Sequence, residues 1–541
     1  MKSVMNDEEQ KKRHIQNQTD DVSPHLPEEL VLENIATRLS ARDLSGLITV
    51  SKLWYNSIEN DRGFAMSHFV NHENNKNLCF NLHNVTYETD HPNMIRSYFF
   101  NLEKDSDNSH FYDFELSSVL GSAGSVEPVG NCNGLSCVKR PSADGFEEIF
   151  ITNPVRGETL IFTCLTPEIG GVGGSLEYLC HGFGFDSSSQ EYKVVVTYTT
   201  STADNGQGFI CMVVTLGATS WRKIVISTSE ISPPPGCSPF PSQMVTRMWK
   251  DTHRSATICA GDLLWRITNT ANDGYKTEML LLFDIHNEKI QFLQLPTECT
   301  SLVPTMNEND CLEIGHHLLE FKGYPCVARS EKIMITERVI PDNEYTEFHY
   351  FRFKVHLYIL KDRFQQIWVE DETFDVRMKE ERKYEFQDPF SRYFDFSFGN
   401  NISTHPTCIL GFSDQVILYW FDGGCLIFYN LLMKHYNVVK GNRSCIEQNR
   451  DIFEAKMVGI TPDTEPEIDG YDIDILFPVD GYGDIHCPCI DYQLHAQVEN
   501  IISLKTFIPE GGEVGEFDCY NEFQQFVTDT GRKTAIWYVL M

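Results

Sequence analysis

Positive charge is scarce in this sequence: 44 Lys and Arg stand against 77 Asp and Glu, a formal net charge of -33 over 541 residues. A field of that sign repels phosphate backbones and anionic headgroups, so neither nucleic acid nor a membrane surface is expected as a partner. Long apolar runs are lacking as well. The N-terminal text MKSVMNDEEQKKRH has no apolar signal-peptide core. The most apolar segment, Val416 to Met433, is interrupted by Asp422-Gly423-Gly424, which suits two short strands about a tight turn better than a membrane span. The 17 cysteines do not form an even framework; most sit in apolar runs such as Ile210-Cys211 and Ile258-Cys259, as buried thiols in a reducing compartment would. A cytoplasmic and/or nuclear protein is expected.

Catalytic signatures are missing too. Gly182-x-Gly184 has Ser187 where a dinucleotide fingerprint needs its third glycine, and a strand pattern follows it instead of a helix, so it reads as a structural turn. Gly170-Gly171-Val172-Gly173-Gly174 lacks the Lys-Ser/Thr ending of a phosphate loop, and no Gly-x-Ser-x-Gly elbow occurs. His486-Cys487-Pro488-Cys489 has no second ligand pair nearby to complete a metal site, and His316-His317 reads as a core or rim pair. No catalytic residue, cofactor or metal is expected.

What is present divides the chain. Residues 1–24 are polar and aperiodic and read as a disordered tail. From Leu26 to about residue 70, apolar positions recur at helical spacing. Pro27 suits a first helical turn ahead of Leu30, Ile35 and Leu39, and Ser40 with Asp43 resembles a capping box before Leu44. Ser51 to Asn60, with Trp54, makes a third helix. Three helices in so short a stretch bury little apolar area, and such a unit usually needs a partner. Between residues 75 and 445 the period changes to short runs bounded by Gly, Pro, Asn and Asp. Strands are expected at Ile149–Thr152, Leu160–Thr163, Tyr192–Tyr198, Phe209–Leu216, Arg222–Ser227, Leu280–Ile285, Ile290–Leu295, Val355–Leu360, Val416–Phe421 and Cys425–Tyr429. That much sheet with so few helices predicts a large all-β domain, best accommodated by a β-propeller, although no strict WD or kelch repeat is visible. Residues 446–541 form an acidic extension in which Asp463, Glu465, Glu467, Asp469, Asp472 and Asp474 crowd together. Apolar text returns at Ile501–Phe507 and Ala535–Leu540, so this extension is expected to be partly folded onto the β-domain.

Two sets of residues carry a family resemblance. Leu26-Pro27, Leu30, Ile35, Leu39, Leu44, Val50-Ser51-Lys52, Trp54 and Phe64 resemble an F-box. Asn153-Pro154, Gly182-Phe183-Gly184-Phe185-Asp186 leading into Tyr192-Lys193-Val194-Val195, Ser220-Trp221-Arg222, Leu263-Leu264-Trp265, Phe283-Asp284 with Glu288-Lys289, and Leu319 to Gly323 resemble the F-box-associated domain of plant F-box proteins. Ala260-Gly261 departs from that pattern, where Asn-Gly is usual. The resemblance implies that the F-box binds a Skp-type adaptor and through it a cullin and a RING protein, making the chain the non-catalytic substrate-recognition subunit of an SCF-type ubiquitin ligase. The alternative is an F-box-containing scaffold that never assembles an active ligase. Leu26, Pro27, Leu30, Ile35, Leu39, Leu44, Val50 and Trp54 are the expected apolar adaptor anchors, with Lys52 as a polar rim contact and some of the set turned instead into the unit's own core. The substrate is a protein whose contact residues the sequence does not assign.

Overall fold

The computed structural model describes residues 27–73 and most of 79–440, with 452–460, 477–478, 489–497, 500–508, 514–516 and 535–539 beyond them. Loops 88–93, 102–109, 116–126, 166–174, 228–243, 246–255, 301–312 and 384–407 lie outside that description, as do several shorter ones. So do the N-terminal tail with Leu26, the Gly170–Gly174 run, Asp422-Gly423-Gly424, the acidic run Asp463–Asp474 and His486–Pro488. The chain divides into two units: residues 1–76 with 499–503, and 77–498 with 504–541. No helix among the described residues is long and apolar enough to cross a membrane.

The first unit is helical. Helix α1 spans Glu28–Asn34, α2 Ala41–Leu47, α3 Lys52–Asn60 and α4 Arg62–Glu73, with a single 3-10 turn at Ala36–Arg38. Polar residues before α2, α3 and α4 set their boundaries, because they satisfy amides that a helix start leaves unpaired. The Asp43 amide donates to Ser40 Oγ at 3.1 Å while the Ser40 hydroxyl donates to the Asp43 carboxylate at 2.7 Å. The Trp54 amide donates to Ser51 Oγ, and Asp61 Oδ1 accepts from the amides of Gly63 and Phe64. The reading of three helices therefore needs a correction: Asp61 caps a fourth, which carries Phe64 and Phe69 into the core.

The second unit is all β apart from short helical turns. Among its described residues it forms six separate sheets, none of them closed. Sheet 1 runs Glu127–Cys132, Leu135–Pro141, Phe146–Asn153 and Glu158–Leu165. Sheet 2 runs Ser175–Asp186, Glu191–Thr202, Gly206–Thr215 and Arg222–Ser227. Sheet 3 runs Thr257–Cys259, Asp262–Thr270, Lys276–Asp284 and Lys289–Gln294. Sheet 4 runs Glu313–Phe321, Tyr324–Val339, Thr346–Asp362 and Ile367–Lys383, and sheet 5 runs Cys408–Phe412, Gln415–Trp420, Cys425–Asn430 and His435–Lys440. Each is an up-and-down antiparallel meander, and leading strands of successive sheets lie against one another, a propeller-like arrangement. In sheet 6, Cys79–Tyr87, Met94–Asn101 and His110–Glu115 gain a fourth strand from far along the chain, Cys489–Gln497, which pairs antiparallel with Cys79–Tyr87. The C-terminal part also supplies Ile452–Ile460 to the edge of sheet 4 and Ala535–Val539, in parallel, to the edge of sheet 1.

A repeat runs through these sheets at the turns, where no sequence repeat of the WD or kelch kind was visible. Hairpins open with a left-handed pair at Asn133-Gly134, Ala260-Gly261 and Lys322-Gly323, as two-residue turns that match strand twist require. A second hairpin begins with Asp or Asn, and its fifth residue is left-handed: Gln190, Glu288, Gln366 and Lys434 follow Asp186, Asp284, Asp362 and Asn430. In each, the side chain of the first residue accepts from the amides two and three positions on, as at Ser188 and Ser189, His286 and Asn287, Phe364 and Gln365, and Leu432 and Met433. This is a side-chain turn mimic, and it needs only one fixed polar residue, which is why the repeat is hard to see in the text.

The core lies between the sheets. Leu263, Trp265, Leu281 and Phe283 of sheet 3 pack with Val195, Cys211 and Val213 of sheet 2. Leu357, Ile359, Phe374, Val416, Leu418 and Tyr429 join sheets 4 and 5. Gly182 and Gly184 are not in a turn, as the sequence suggested, but inside the strand Ser175–Asp186. A Cβ on Gly182 would stand 2.8 Å from Ala256 Cβ, and one on Gly184 2.7 Å from Ile285 Cδ1. The two glycines remove side chains where sheet 3 must come close.

Candidate functional site

The helical unit separates its apolar residues into two sets. Leu32, Ala36, Ala41, Leu44, Trp54, Ile58, Phe64, Ala65 and Phe69 are buried. Leu30, Ile35 and Val50 are 48%, 49% and 58% exposed, and Leu53, Tyr55 and Val70 are exposed beside polar positions. A polar lock holds the core side: His68 Nε2 lies 2.8 Å from the Leu39 carbonyl, the Thr37 hydroxyl donates to the Glu33 carbonyl, and the Asn71 amide donates to Thr37 Oγ1.

The predicted anchors divide accordingly. Leu30, Ile35 and Val50 stand in solvent with Pro27 and Lys52, and Leu39 is half-buried. Leu44 and Trp54 do not face outward; they fill the unit's own interior, so they hold the fold and offer no docking surface. Leu26 lies outside the described residues. Leu53, Tyr55 and Val70 were missed by the sequence reading. Tyr55 and Leu53 flank Trp54, and only the buried setting of Trp54 tells which way its neighbours point.

The β-unit holds a Ser-His-Asp constellation that merits a chemical test. The Ser188 hydroxyl donates to Asp186 Oδ1 at 2.6 Å and lies 2.5 Å from His286 Nδ1, which is itself 3.2 Å from Asp186 Oδ2. A hydrolytic triad needs the serine on one imidazole nitrogen and the carboxylate on the other. Here a single nitrogen meets both, and the serine proton goes to the carboxylate, so the group cannot act as a nucleophile–base pair in this arrangement. It is one end of a clasp between sheets 2 and 3. Lys193 Nζ donates to the Ile285 carbonyl and to Glu288, and Arg222 forms a two-pronged pair with Glu288 at 2.6 and 2.7 Å. Burial alone would raise the Asp186 pKa, but hydrogen bonds from Ser188, His286 and Ser189 outweigh it and hold the carboxyl well below its usual range. Cys132, Cys137, Cys164, Cys180, Cys211, Cys259, Cys299 and Cys326 are buried and free, and burial pushes the Cys211 thiol up to about 12, which leaves it un-ionised and unreactive at neutral pH.

Residues 79–388 match the family described as F-box associated beta propeller domain. The chain belongs to this F-box-associated family. The match covers the first three strands of sheet 6 and then sheets 1 to 4 in chain order. No curated protein matches the F-box-associated chain. Among solved structures, the catalytic domain of a Coprinopsis cinerea GH62 alpha-L-arabinofuranosidase is similar at 10% identity, over 48% of this chain and 86% of that one, with a TM-score of 0.19. A bifunctional GH43-CE protein of Bacteroides eggerthii is similar at 7% identity, over 56% of this chain and 54% of that one, with a TM-score of 0.15. Likeness at those scores carries no argument about the fold or activity of the F-box-associated domain.

Proposed function

We infer that this chain is the substrate-recognition subunit of an SCF-type ubiquitin ligase of the plant type. The helical unit is an F-box that binds a Skp-type adaptor, and through it a cullin and a RING protein, while the β-domain binds a protein target. The observation that carries the reading is the F-box-associated domain at residues 79–388, preceded by a small helical unit that leaves Leu30, Ile35 and Val50 in solvent. Exposed apolar side chains on short helices are what a partner groove takes up in helix-in-groove recognition. The subunit itself is non-catalytic. It accelerates transfer by holding a target lysine near the activated ubiquitin, which converts an encounter between molecules into a reaction within one assembly. Its place of action is the cytoplasm or the nucleus.

Reconstitution tests this directly. The full-length chain, a Skp-type adaptor, cullin, RING protein and charged conjugating enzyme are combined with a target captured by the β-domain. Ubiquitin chains on the target that disappear when the adaptor is omitted support the reading. A stable complex with adaptor that never modifies a bound target would instead make the chain a scaffold.

A further inference from the structure

The last three strands of sheet 4, Tyr324–Val339, Thr346–Asp362 and Ile367–Lys383, are longer than any other in the described chain. Near the turns they pack on both sides: Tyr358 and Leu360 join sheet 3, while Phe353, Val355 and Leu357, alternating with them, join sheet 5. Alternate residues of a strand share a face, so Lys354 and Arg352 continue the face of Tyr358 along the strand. Arg352 stands directly opposite Arg377 of the next strand, and Lys354 opposite Asp375. Both arginines are exposed. Like charges directly opposite each other destabilise a sheet, and no carboxylate among the described residues offsets these fully. Arg377 and Lys354 form no ion pair there, and Arg352 reaches Asp375 only at 4.0 Å. Glu331, on the other side of Lys354, is taken by Arg329.

Basic positions recur along the same stretch. Lys379 and Lys383 stand at alternate places after Arg377, and the edge strand Ile452–Ile460 puts Lys456 opposite Glu381 and Glu454 opposite Lys383. Bases therefore outnumber carboxylates here, in a chain where 44 Lys and Arg stand against 77 Asp and Glu. Screening confines the influence of distant charges to about 8 Å at physiological salt. An anionic segment lying on this face meets the local bases, not the average field of the molecule.

The chain itself carries such a segment, tied to this place at both ends. Ile460 pairs with Arg377, and the acidic run begins at Asp463. The chain returns to the same edge strand at Phe477, which pairs with Phe453. Between those two points, residues 461–476 hold Asp463, Glu465, Glu467, Asp469, Asp472 and Asp474 and no Lys or Arg. The strand from Phe453 to Ile460 spans about 23 Å, and a chain as long as residues 461–476 reaches about 50 Å when extended. It is long enough to lie over Arg377 and Arg352 while both its ends stay paired. Single exposed ion pairs are weak, but tethering gives the run an effective concentration on the order of millimolar.

We propose that the face of sheet 4 around Arg352 and Arg377 is an anion-binding surface whose occupant is the chain's own acidic run, Asp463–Asp474. The carboxylates of the run offset the repulsion between the two arginines and withhold them from acidic segments of other proteins. The proposal does not depend on the ligase reading.

The test uses the full-length chain and a fluorescein-labelled synthetic peptide of residues 461–476, read by anisotropy at low salt. A neutral-run variant keeps the length of the run but carries Asp463→Asn, Glu465→Gln, Glu467→Gln, Asp469→Asn, Asp472→Asn and Asp474→Asn. It should bind the peptide saturably and at least tenfold more tightly than the natural chain, whose surface is already filled. Adding Arg352→Gln and Arg377→Gln to the neutral-run variant should weaken binding at least tenfold without lowering the melting temperature, because those two side chains are exposed and repel each other. A peptide with Asn and Gln in place of its carboxylates should not bind. No saturable binding by the neutral-run variant, or equal binding after the arginine substitutions, overturns the proposal. Equal binding by the natural chain overturns it too, since the surface is then open to an acidic segment from outside. So does a natural chain that dimerises while the neutral-run variant stays monomeric, since the run then docks on a second copy.

Discussion

Asp186 holds four donors on one buried carboxyl: the amide and hydroxyl of Ser188, the amide of Ser189 and the ring of His286. Lys193 lies 3.6 Å away. A carboxyl with a depressed folded pKa contributes stability that is present above its unfolded value, near 3.8, and is lost as pH falls through the folded value. Asp186→Asn is expected to cost about 2–4 kcal/mol at neutral pH, because the turn loses its anchor and Lys193 one of its carboxylates. Urea unfolding of both proteins should show this gap unchanged from pH 8 to 5 and shrinking below pH 4. Asp262 has the opposite sign. Burial first, with Asp284 adding, raises it to about 6 against the pull of Arg363, so Asp262→Asn should gain relative to the natural chain as pH rises from 4 to 7. Ala260 is a smaller case. It holds a φ of 49°, a conformation that costs most L-residues about 1–2 kcal/mol. Ala260→Asn, which restores the residue usual at this turn in the family it resembles, should raise stability by about 0.5–1 kcal/mol in the same urea series.

Elements built from local pattern were legible in the sequence. Every expected strand falls on an observed one, most with ends that differ by a few residues: Arg222–Ser227 coincides, while Val355–Leu360 is the C-terminal part of Thr346–Asp362. Side-chain alternation and turn residues are local signals, so they survive without tertiary information. Three things did not. The glycines at 182 and 184 looked like turn residues because their function, admitting Ala256 and Ile285, depends on residues far along the chain in and beside sheet 3. The repeated turn was hidden because one Asp or Asn fixes it. Of the C-terminal strands only Ala535–Val539 was legible, as apolar text, and Cys489–Gln497 was not; their partners, Glu158–Leu165 and Cys79–Tyr87, lie hundreds of residues earlier, and long-range pairing leaves no local mark. The glycine account predicts that Gly182→Ala costs about 1–3 kcal/mol through overpacking against Ala256 and Leu263, read as a lower melting temperature. Gly46→Ala, in a helix with nothing within 4 Å of the added carbon, should cost nothing and stabilise slightly.

At the scale of the whole molecule, the chain combines a small helical unit with a large β-domain of the F-box-associated family. The sequence identified the apolar text of the first unit but could not sort it. Leu44 and Trp54 belong to its core and Leu30, Ile35 and Val50 to its surface, a distinction made by how the helices pack. Leu44→Ala should therefore lower stability by about 2–5 kcal/mol, whereas serine at the three surface positions should leave the fold intact. The most direct measurement is co-purification of a Skp-type adaptor with the full-length natural chain and with the combined variant Leu30→Ser, Ile35→Ser, Val50→Ser, circular dichroism confirming that both are folded. The account predicts that the natural chain retains the adaptor and the variant loses it by at least about tenfold, roughly 1.4 kcal/mol of binding free energy. Equal retention by both, or retention by neither, would contradict it.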